Sequence, residues 1–174
     1  MQYNPENVSR EIGPDGVEHM YVNGSLAMRM FIIFAAAYVM SYAFRAINAV
    51  IAQPLVQELG LTAGQLGFLA SAYFLSFAIM QLPVGVMLDR YGPRRVEAVL
   101  IGFAALGALL FAVADSYLVL WLGRALIGVG VSACLMAAVK AYSLYFRPHM
   151  QASLSSWMLV AGSLGALTVT TPVE

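Results

Sequence analysis

Two arginines, Arg45 and Arg124, lie inside long apolar stretches of the sequence, over 30–52 and 118–141 respectively. A guanidinium at membrane depth costs at least about 2.5–3.5 kcal/mol on insertion scales, so it usually faces a cavity or a partner. With a helix rise of about 1.5 Å per residue, both arginines lie roughly 6–9 Å to the outer side of the membrane midplane. Two cations at one depth predict a binding site for an anion.

A polar face accompanies Arg45 on its predicted helix. Its side chains recur at steps of three and four residues and so share one side of the helix: Tyr38, Ser41, Tyr42, Arg45 and Asn48. We predict that Arg45 contacts the acidic group of a substrate, and that Tyr42 and Asn48 line the same site.

Arg124 and Lys140 are further candidates for substrate contact, each with an alternative interpretation. Arg124 is followed at steps of four by Gly128 and Ser132, which places the three on one helical face. It either contacts the anion or hydrogen-bonds helix-end carbonyls. Lys140 lies near the inner end of its span, where it either contacts the substrate or extends its ammonium group to the membrane surface.

The remaining sequence shows no catalytic or metal-binding constellation. His19 and His149 have no nearby nucleophile or metal-ligand spacing, and the single cysteine, Cys134, lies in an apolar run. We therefore expect no enzymatic activity, no cofactor and no metal. The formal net charge is zero, so the composition does not suggest nucleic acid as a partner.

The composition places these residues in a membrane. Hydrophobic residues make up 61% of the chain and charged residues 10%, whereas soluble domains carry about 25% charged residues. The mean hydropathy is +0.79. Each apolar run has about the length that a helix needs to cross a bilayer, and the runs cover 30–52, 66–88, 96–114, 118–141 and 152–170. Barrel strands would be about half as long, so the runs predict helices.

The segments between the spans indicate the orientation. Residues 1–27 are polar, lack the apolar core of a signal peptide, and predict a flexible cytoplasmic tail. We expect Gln53-Pro54 to end the first span, and Thr62 with Gln65 to form a capping box at the start of the second. The first and third loops contain no Lys or Arg, which predicts a cytoplasmic N-terminus. The basic residues of the tail and of the second and fourth loops are Arg10, Arg29, Arg90, Arg94, Arg95, Lys140 and Arg147.

The loop after the second span combines glycines with charged residues, in the order Gly85-Val86-Met87-Leu88-Asp89-Arg90-Tyr91-Gly92-Pro93-Arg94-Arg95. Asp89 ends a helix, where the helix dipole disfavours an anion, and we expect it to pair with the neighbouring arginines. Gly85 would let another helix approach closely. In the alternative interpretation, the arginines only anchor the loop to anionic lipid head groups.

This loop resembles the signature loop of the major facilitator superfamily, Gly-x-Leu-x-Asp-Arg-x-Gly-Arg-Arg/Lys. Met87 and Pro93 depart from that pattern, and Pro93 removes one positive charge. The resemblance implies a conformational switch that holds the two halves of a transporter in one state. We call its residues the loop cluster: Gly85, Asp89, Arg90, Gly92, Arg94 and Arg95.

Other motifs resemble the same family over about residues 28–174. Gln81-Leu82-Pro83 before Gly85 looks like the second-helix ending of the organophosphate and organic-anion branches. Further resemblances lie in the fourth helix (Gly123-Arg124, Gly128, Gly130) and in the fifth (Gly162-Ser163-Leu164-Gly165). In organic-anion and sugar-phosphate branches, arginines of the first and fourth helices hold the acidic group of the substrate, and Arg45 and Arg124 look like those positions.

The resemblance implies an all-α integral membrane fold. The chain would supply five transmembrane helices of a six-helix N-terminal half, and we expect this truncated chain to be inactive alone. The complete carrier would move a small organic anion by alternating access in the bacterial inner membrane. Expected partners are the anionic substrate, the lipid bilayer and a coupling proton or counter-anion. No buried carboxylate marks a proton site in mid-span. The alternative is a small non-transporting membrane protein that assembles with or regulates a partner.

Overall fold

The computed structural model describes residues 8–12 and 18–170. Residues 1–7, 13–17 and 171–174, which the predicted tail and membrane domain include, lie outside this part of the chain. The described elements are a β-hairpin and a series of helices: β1 (Val8–Ile12), β2 (Glu18–Val22), α1 (Gly24–Leu59), α2 (Ala63–Tyr91), α3 (Pro93–Ala112), α4 (Tyr117–Val131), α5 (Cys134–Tyr145) and α6 (Pro148–Thr170).

Five of the described helical stretches are long and apolar enough to cross a membrane. They are Gly24–Ile47, Ala63–Tyr91, Pro93–Ala112, Tyr117–Tyr145 and Pro148–Val169. The fourth combines α4 and α5. Many large apolar side chains on these helices are exposed, as a lipid environment allows. The predicted all-α membrane architecture is confirmed.

The first helix is longer than the predicted span over 30–52, because it begins at Gly24 and ends at Leu59. Pro54, which was expected to end it, lies inside the helix. A proline inside a helix removes one hydrogen bond and crowds the carbonyl four residues earlier, which can kink a helix without ending it. The helix ends where Gly60 adopts a left-handed conformation with φ 63°, which glycine tolerates well.

The second helix begins as the sequence predicted. Thr62 and Gln65 form the reciprocal hydrogen bonds of a capping box. The fourth span, by contrast, is broken between α4 and α5. Ser132 lies in the turn between the two helices, and its hydroxyl donates to the carbonyl of Val129 at 2.6 Å. The Ser132 carbonyl accepts a 3.4 Å bond from Gln81 on α2, so the break leaves that carbonyl paired within the bundle.

The hairpin is a further departure from the sequence analysis, which predicted only a flexible tail over 1–27. Strands β1 and β2 pair antiparallel, with Val8 opposite Val22. Tyr21 and the valines favour strands, but strands this short lie below the length that a scan for membrane spans detects. Arg147, between α5 and α6, holds the hairpin through a 2.7 Å ion pair with Glu11.

Glycines allow the helices of the bundle to pack closely. A Cβ built on Gly107 of α3 would lie 2.7 Å from the backbone nitrogen of Ile127 and 2.8 Å from the carbonyl oxygen of Gly123. α4 also packs against α2, and α1 packs against α6. Such close backbone approach through small residues is characteristic of helix packing in membranes. α4 contacts both α1 and α2, and the residues described next lie on these three helices.

Candidate functional site

Arg45 lies half-buried on α1 without a counter-charge. Its guanidinium carbon lies 5.2 Å from the ring centroid of Tyr42 and 5.5 Å from that of Phe77. Its Nε is enclosed and has no hydrogen-bond partner. Among the side chains that the structure describes, no carboxylate forms an ion pair with it. Aromatic faces stabilise a cation only partly, so an anion at this place would supply the missing charge.

Aromatic hydroxyl groups form the wall beside Arg45. The hydroxyl of Tyr38 donates to that of Tyr42 at 3.4 Å. Tyr73 of α2 is fully buried, and its hydroxyl lies next to Arg45 and Ser41 without forming a hydrogen bond of standard geometry. Of the predicted polar face, Tyr38 and Ser41 are therefore interior, whereas Tyr42 and Arg45 remain half-exposed.

Arg124 lies at the same depth as Arg45 but is enclosed, with only 1% of its surface exposed. Its Nη1 donates to the carbonyl of Phe44 at 3.3 Å, and the ring centroid of Phe111 lies 4.5 Å from its guanidinium carbon. Arg124 binds a carbonyl, as in the second alternative, but the acceptor lies inside α1 and not at a helix end. Arg124 thus holds the backbone immediately before Arg45.

Of the two other predicted contacts, one falls on a side chain that is not described and the other lies elsewhere. The side chain of Asn48 lies outside the part of the chain that the structure describes. Lys140 of α5 instead forms a 2.8 Å ion pair with Asp89, and so belongs with the loop between α2 and α3. A depression of about 400 Å³ between α1 and α2 is also separate from Arg45, since its lining is Ala52, Gln53, Val56, Gln57 and Leu66.

The loop cluster is arranged differently from the expectation. Asp89 pairs with Lys140, and no described arginine pairs with it. Arg90 lies over the ring of Tyr91 at 5.4 Å, while Arg94 and Arg95 are exposed in the first turn of α3. Asp89 thus pairs with a lysine that reaches it from another helix, and not with the arginines next to it in the sequence.

The two glycines of the loop cluster have different surroundings. Gly92 has φ 78°, a value that side chains other than glycine adopt only with strain, so it forms the turn between α2 and α3. No described atom outside its own helix lies within 4 Å of a Cβ built on Gly85. The helix contact predicted at Gly85 is therefore not made by the described part of the chain, and that face of α2 is open.

Several relevant residues were missed in the sequence analysis. Phe77 and Phe111 flank the two arginines, but an aromatic residue in an apolar run is not distinctive by itself. Glu97 is buried at 5% exposure, although it follows the arginines of a charged loop. Only the packing of α3 against α5 distinguishes it from a surface carboxylate.

Comparison with known proteins agrees with this architecture. A family model described as Major Facilitator Superfamily matches residues 33–173. The chain is 33% identical over 117 residues to a probable sulfoacetate transporter of Cupriavidus necator, covering 67% of this chain and 27% of that protein. It is 34% identical over 116 residues to an uncharacterized transporter of Bacillus subtilis, again covering 67% and 27%.

A probable L-galactonate transporter of Escherichia coli is 28% identical over 144 residues, which cover 83% of this chain and 31% of that protein. The chain thus spans about a quarter to a third of the length of these curated relatives. The family match covers the hydrophobic helices and the loop cluster alike, and the chain belongs to the Major Facilitator Superfamily of membrane transporters.

Proposed function

We propose that the protein is a secondary transporter that moves a small organic anion by alternating access, with Arg45 binding the acidic group. The observation that carries the proposal is the half-buried guanidinium of Arg45, which has no counter-charge among the described residues. An unpaired charge removed from water is costly. A carboxylate, sulfonate or phosphate group would offset that cost when it binds, and Tyr42 beside Arg45 offers a hydroxyl donor.

The relatives support the class of substrate. Two of them are named for sulfoacetate and L-galactonate, and both are organic acids that carry a negative charge at neutral pH. We assign Arg124 a positioning role, because it is enclosed and its hydrogen bond fixes the carbonyl of Phe44. Its charge also adds to the positive potential at Arg45.

Alternating access would require the half that contains these helices to rock against a second half. The Asp89–Lys140 ion pair and the open face of α2 at Gly85 fit a contact that forms in one state and breaks in the other. We further propose that the N-terminus is cytoplasmic, in the bacterial inner membrane. The orientation rests on the first and third loops, which contain no Lys or Arg. The ion pairs Glu11–Arg147 and Asp89–Lys140 each join residues separated by an even number of spans, so each pair lies on one side of the membrane in either orientation.

The experiment is uptake by the full-length protein in proteoliposomes, with sulfoacetate and L-galactonate as probes. We expect Arg45→Ala to reduce the apparent affinity by at least about tenfold, the order expected when a charge-assisted hydrogen bond is lost. Arg45→Lys should restore part of it, because the charge remains without the planar fork of donors. Arg29→Ala is the matched control, since Arg29 is exposed on the same helix.

Two measurements separate binding from folding. Arg124→Met should lower both affinity and folded stability, because an enclosed hydrogen bond is removed. Arg45→Ala should leave the fraction of folded, membrane-inserted protein unchanged. If Arg45→Ala binds the probe anion as tightly as Arg29→Ala does, the site assignment is wrong.

A further inference from the structure

Glu97 on α3 is a carboxylate enclosed within the helix bundle. It lies in the second turn of the helix, five residues after Gly92, and only 5% of its surface is exposed. Its Oε1 is completely shielded and accepts no hydrogen bond. Within the described residues it has no ion-pair partner. A buried carboxylate without an ion-pair partner, one of whose oxygens has no donor, is rare and costly, and it calls for an explanation.

The charged groups on the elements packed against α3 are occupied elsewhere. These elements are α2, α4 and α5. Asp89 and Lys140 pair with each other, Arg124 bonds the carbonyl of Phe44, and Arg90 lies over Tyr91. On α3 itself, Arg94 and Arg95 are exposed. Among the described residues, therefore, no cation lies within ion-pair distance of Glu97.

Among the described residues, the thiol of Cys134 and the hydroxyl of Tyr142, both on α5, lie near Glu97. Both are neutral in the physiological pH range, and the Tyr142 hydroxyl donates to the sulfur of Met158 at 3.6 Å. The surroundings of Glu97 are thus uncharged on the α5 side. In such surroundings a carboxyl group is stable in its protonated form.

We propose that Glu97 is a proton-binding site whose occupancy is linked to the conformational cycle of the transporter. While α3 and α5 are packed as here, the carboxyl group holds a proton. When these helices separate and water enters, the O–H bond breaks and the proton passes to water. The coupling ion would then be a proton taken up and released at this carboxyl group.

The position of Glu97 links it to the loop cluster. Tyr142 interacts with Glu97, and Lys140, two residues earlier on α5, binds Asp89 at 2.8 Å. A movement of α5 away from α3 and α2 would open the ion pair and hydrate Glu97 together. Loss of the proton would in turn favour the opened arrangement, since binding and conformation are reciprocally linked.

The first test does not depend on transport. Infrared difference spectra of the full-length protein in lipid at neutral pH should show the carbonyl stretch of a protonated carboxyl group. We expect Glu97→Gln to abolish this band and Asp115→Asn, which changes an exposed carboxylate, to leave it. Absence of the band in the unmodified protein, or its persistence in Glu97→Gln, would overturn the proposal.

Stability gives a second criterion for the same variant. Glutamine reproduces the shape of a neutral carboxyl group, so Glu97→Gln should unfold at or above the temperature of the unmodified protein. A variant that fails to fold would show that an ionised, bonded carboxylate is needed, and this too would overturn the proposal.

The third test rests on the proposed function. Coupling to one proton supports about a tenfold accumulation of a monoanion per unit of imposed pH difference. Glu97→Gln should still exchange the anion down its gradient but lose the accumulation. Full accumulation by Glu97→Gln would refute the coupling role while leaving anion transport in place. If the unmodified protein moves no anion, the transport function fails, and the infrared result alone decides whether Glu97 holds a proton.

Discussion

Replacing Gly107 with alanine tests whether close contact between α3 and α4 stabilises the bundle. The added Cβ would lie 2.7 Å from the nitrogen of Ile127 and 2.8 Å from the oxygen of Gly123. Both are backbone atoms, so no side chain can rotate away. Ordinary contact requires at least 3.4 Å, and the two helices would therefore have to separate by about 0.6–0.7 Å in a densely packed region. Overpacking of this kind typically costs about 1–3 kcal/mol.

The chain offers a matched control on the same helix. Gly102 lies five residues earlier, is exposed, and has no atom within 4 Å of a built Cβ. Gly102→Ala should be neutral or should stabilise the helix by up to about 1 kcal/mol, because alanine loses less backbone entropy on folding.

The assay is denaturant unfolding of the full-length protein in mixed micelles, from which the free energy of unfolding of each variant is obtained. We expect Gly107→Ala to be less stable than Gly102→Ala by about 1–3 kcal/mol, because the gain from replacing glycine in a helix is common to both variants and only the overpacking differs. Equal stability of the two variants would refute the inference that α3 and α4 are packed through their backbones at Gly107.

Two further outcomes can be checked on the same protein. Asp89→Lys should reduce transport. It should lower the free energy of unfolding by less than about 1 kcal/mol, because the side chains of Asp89 and Lys140 are 71% and 37% exposed. Adding Lys140→Asp should restore transport, and no recovery would argue against the ion pair. A membrane-impermeant thiol reagent applied from outside should label Asp115→Cys and not His149→Cys, with little background from buried Cys134, and the opposite pattern would reverse the proposed orientation.

Much of the fold could be predicted because a bilayer imposes simple requirements. A helix must be long and apolar to cross it, and five such runs were visible in the sequence. That Arg45 and Arg124 lie at one level of the bundle also followed from position alone, since helix rise is constant. Their geometry agrees with that estimate, because Arg124 bonds the residue next to Arg45.

The parts that could not be predicted depend on which side chains meet across helices. Asp89 has arginines near it in sequence, yet the ammonium group that reaches it comes from Lys140 on α5. In the sequence, Glu97 cannot be told from an exposed carboxylate of a charged loop. It is buried because it lies on the side of α3 that faces α5. The break at Ser132 likewise depends on the carbonyl acceptor being reached by Gln81 from another helix.

The contact between the N-terminal hairpin and Arg147 has a consequence for synthesis. Glu11 and Arg147 are 136 residues apart in the chain, and at about 5–20 residues per second the ribosome needs roughly 7–27 s to make that length. During this interval the hairpin has no Arg147 to bind, while four hydrophobic segments emerge and enter the bilayer. The ion pair can form only when those segments have crossed an even number of times. A nascent chain that misses one insertion would therefore leave Glu11 and Arg147 on opposite sides of the membrane, permanently separated.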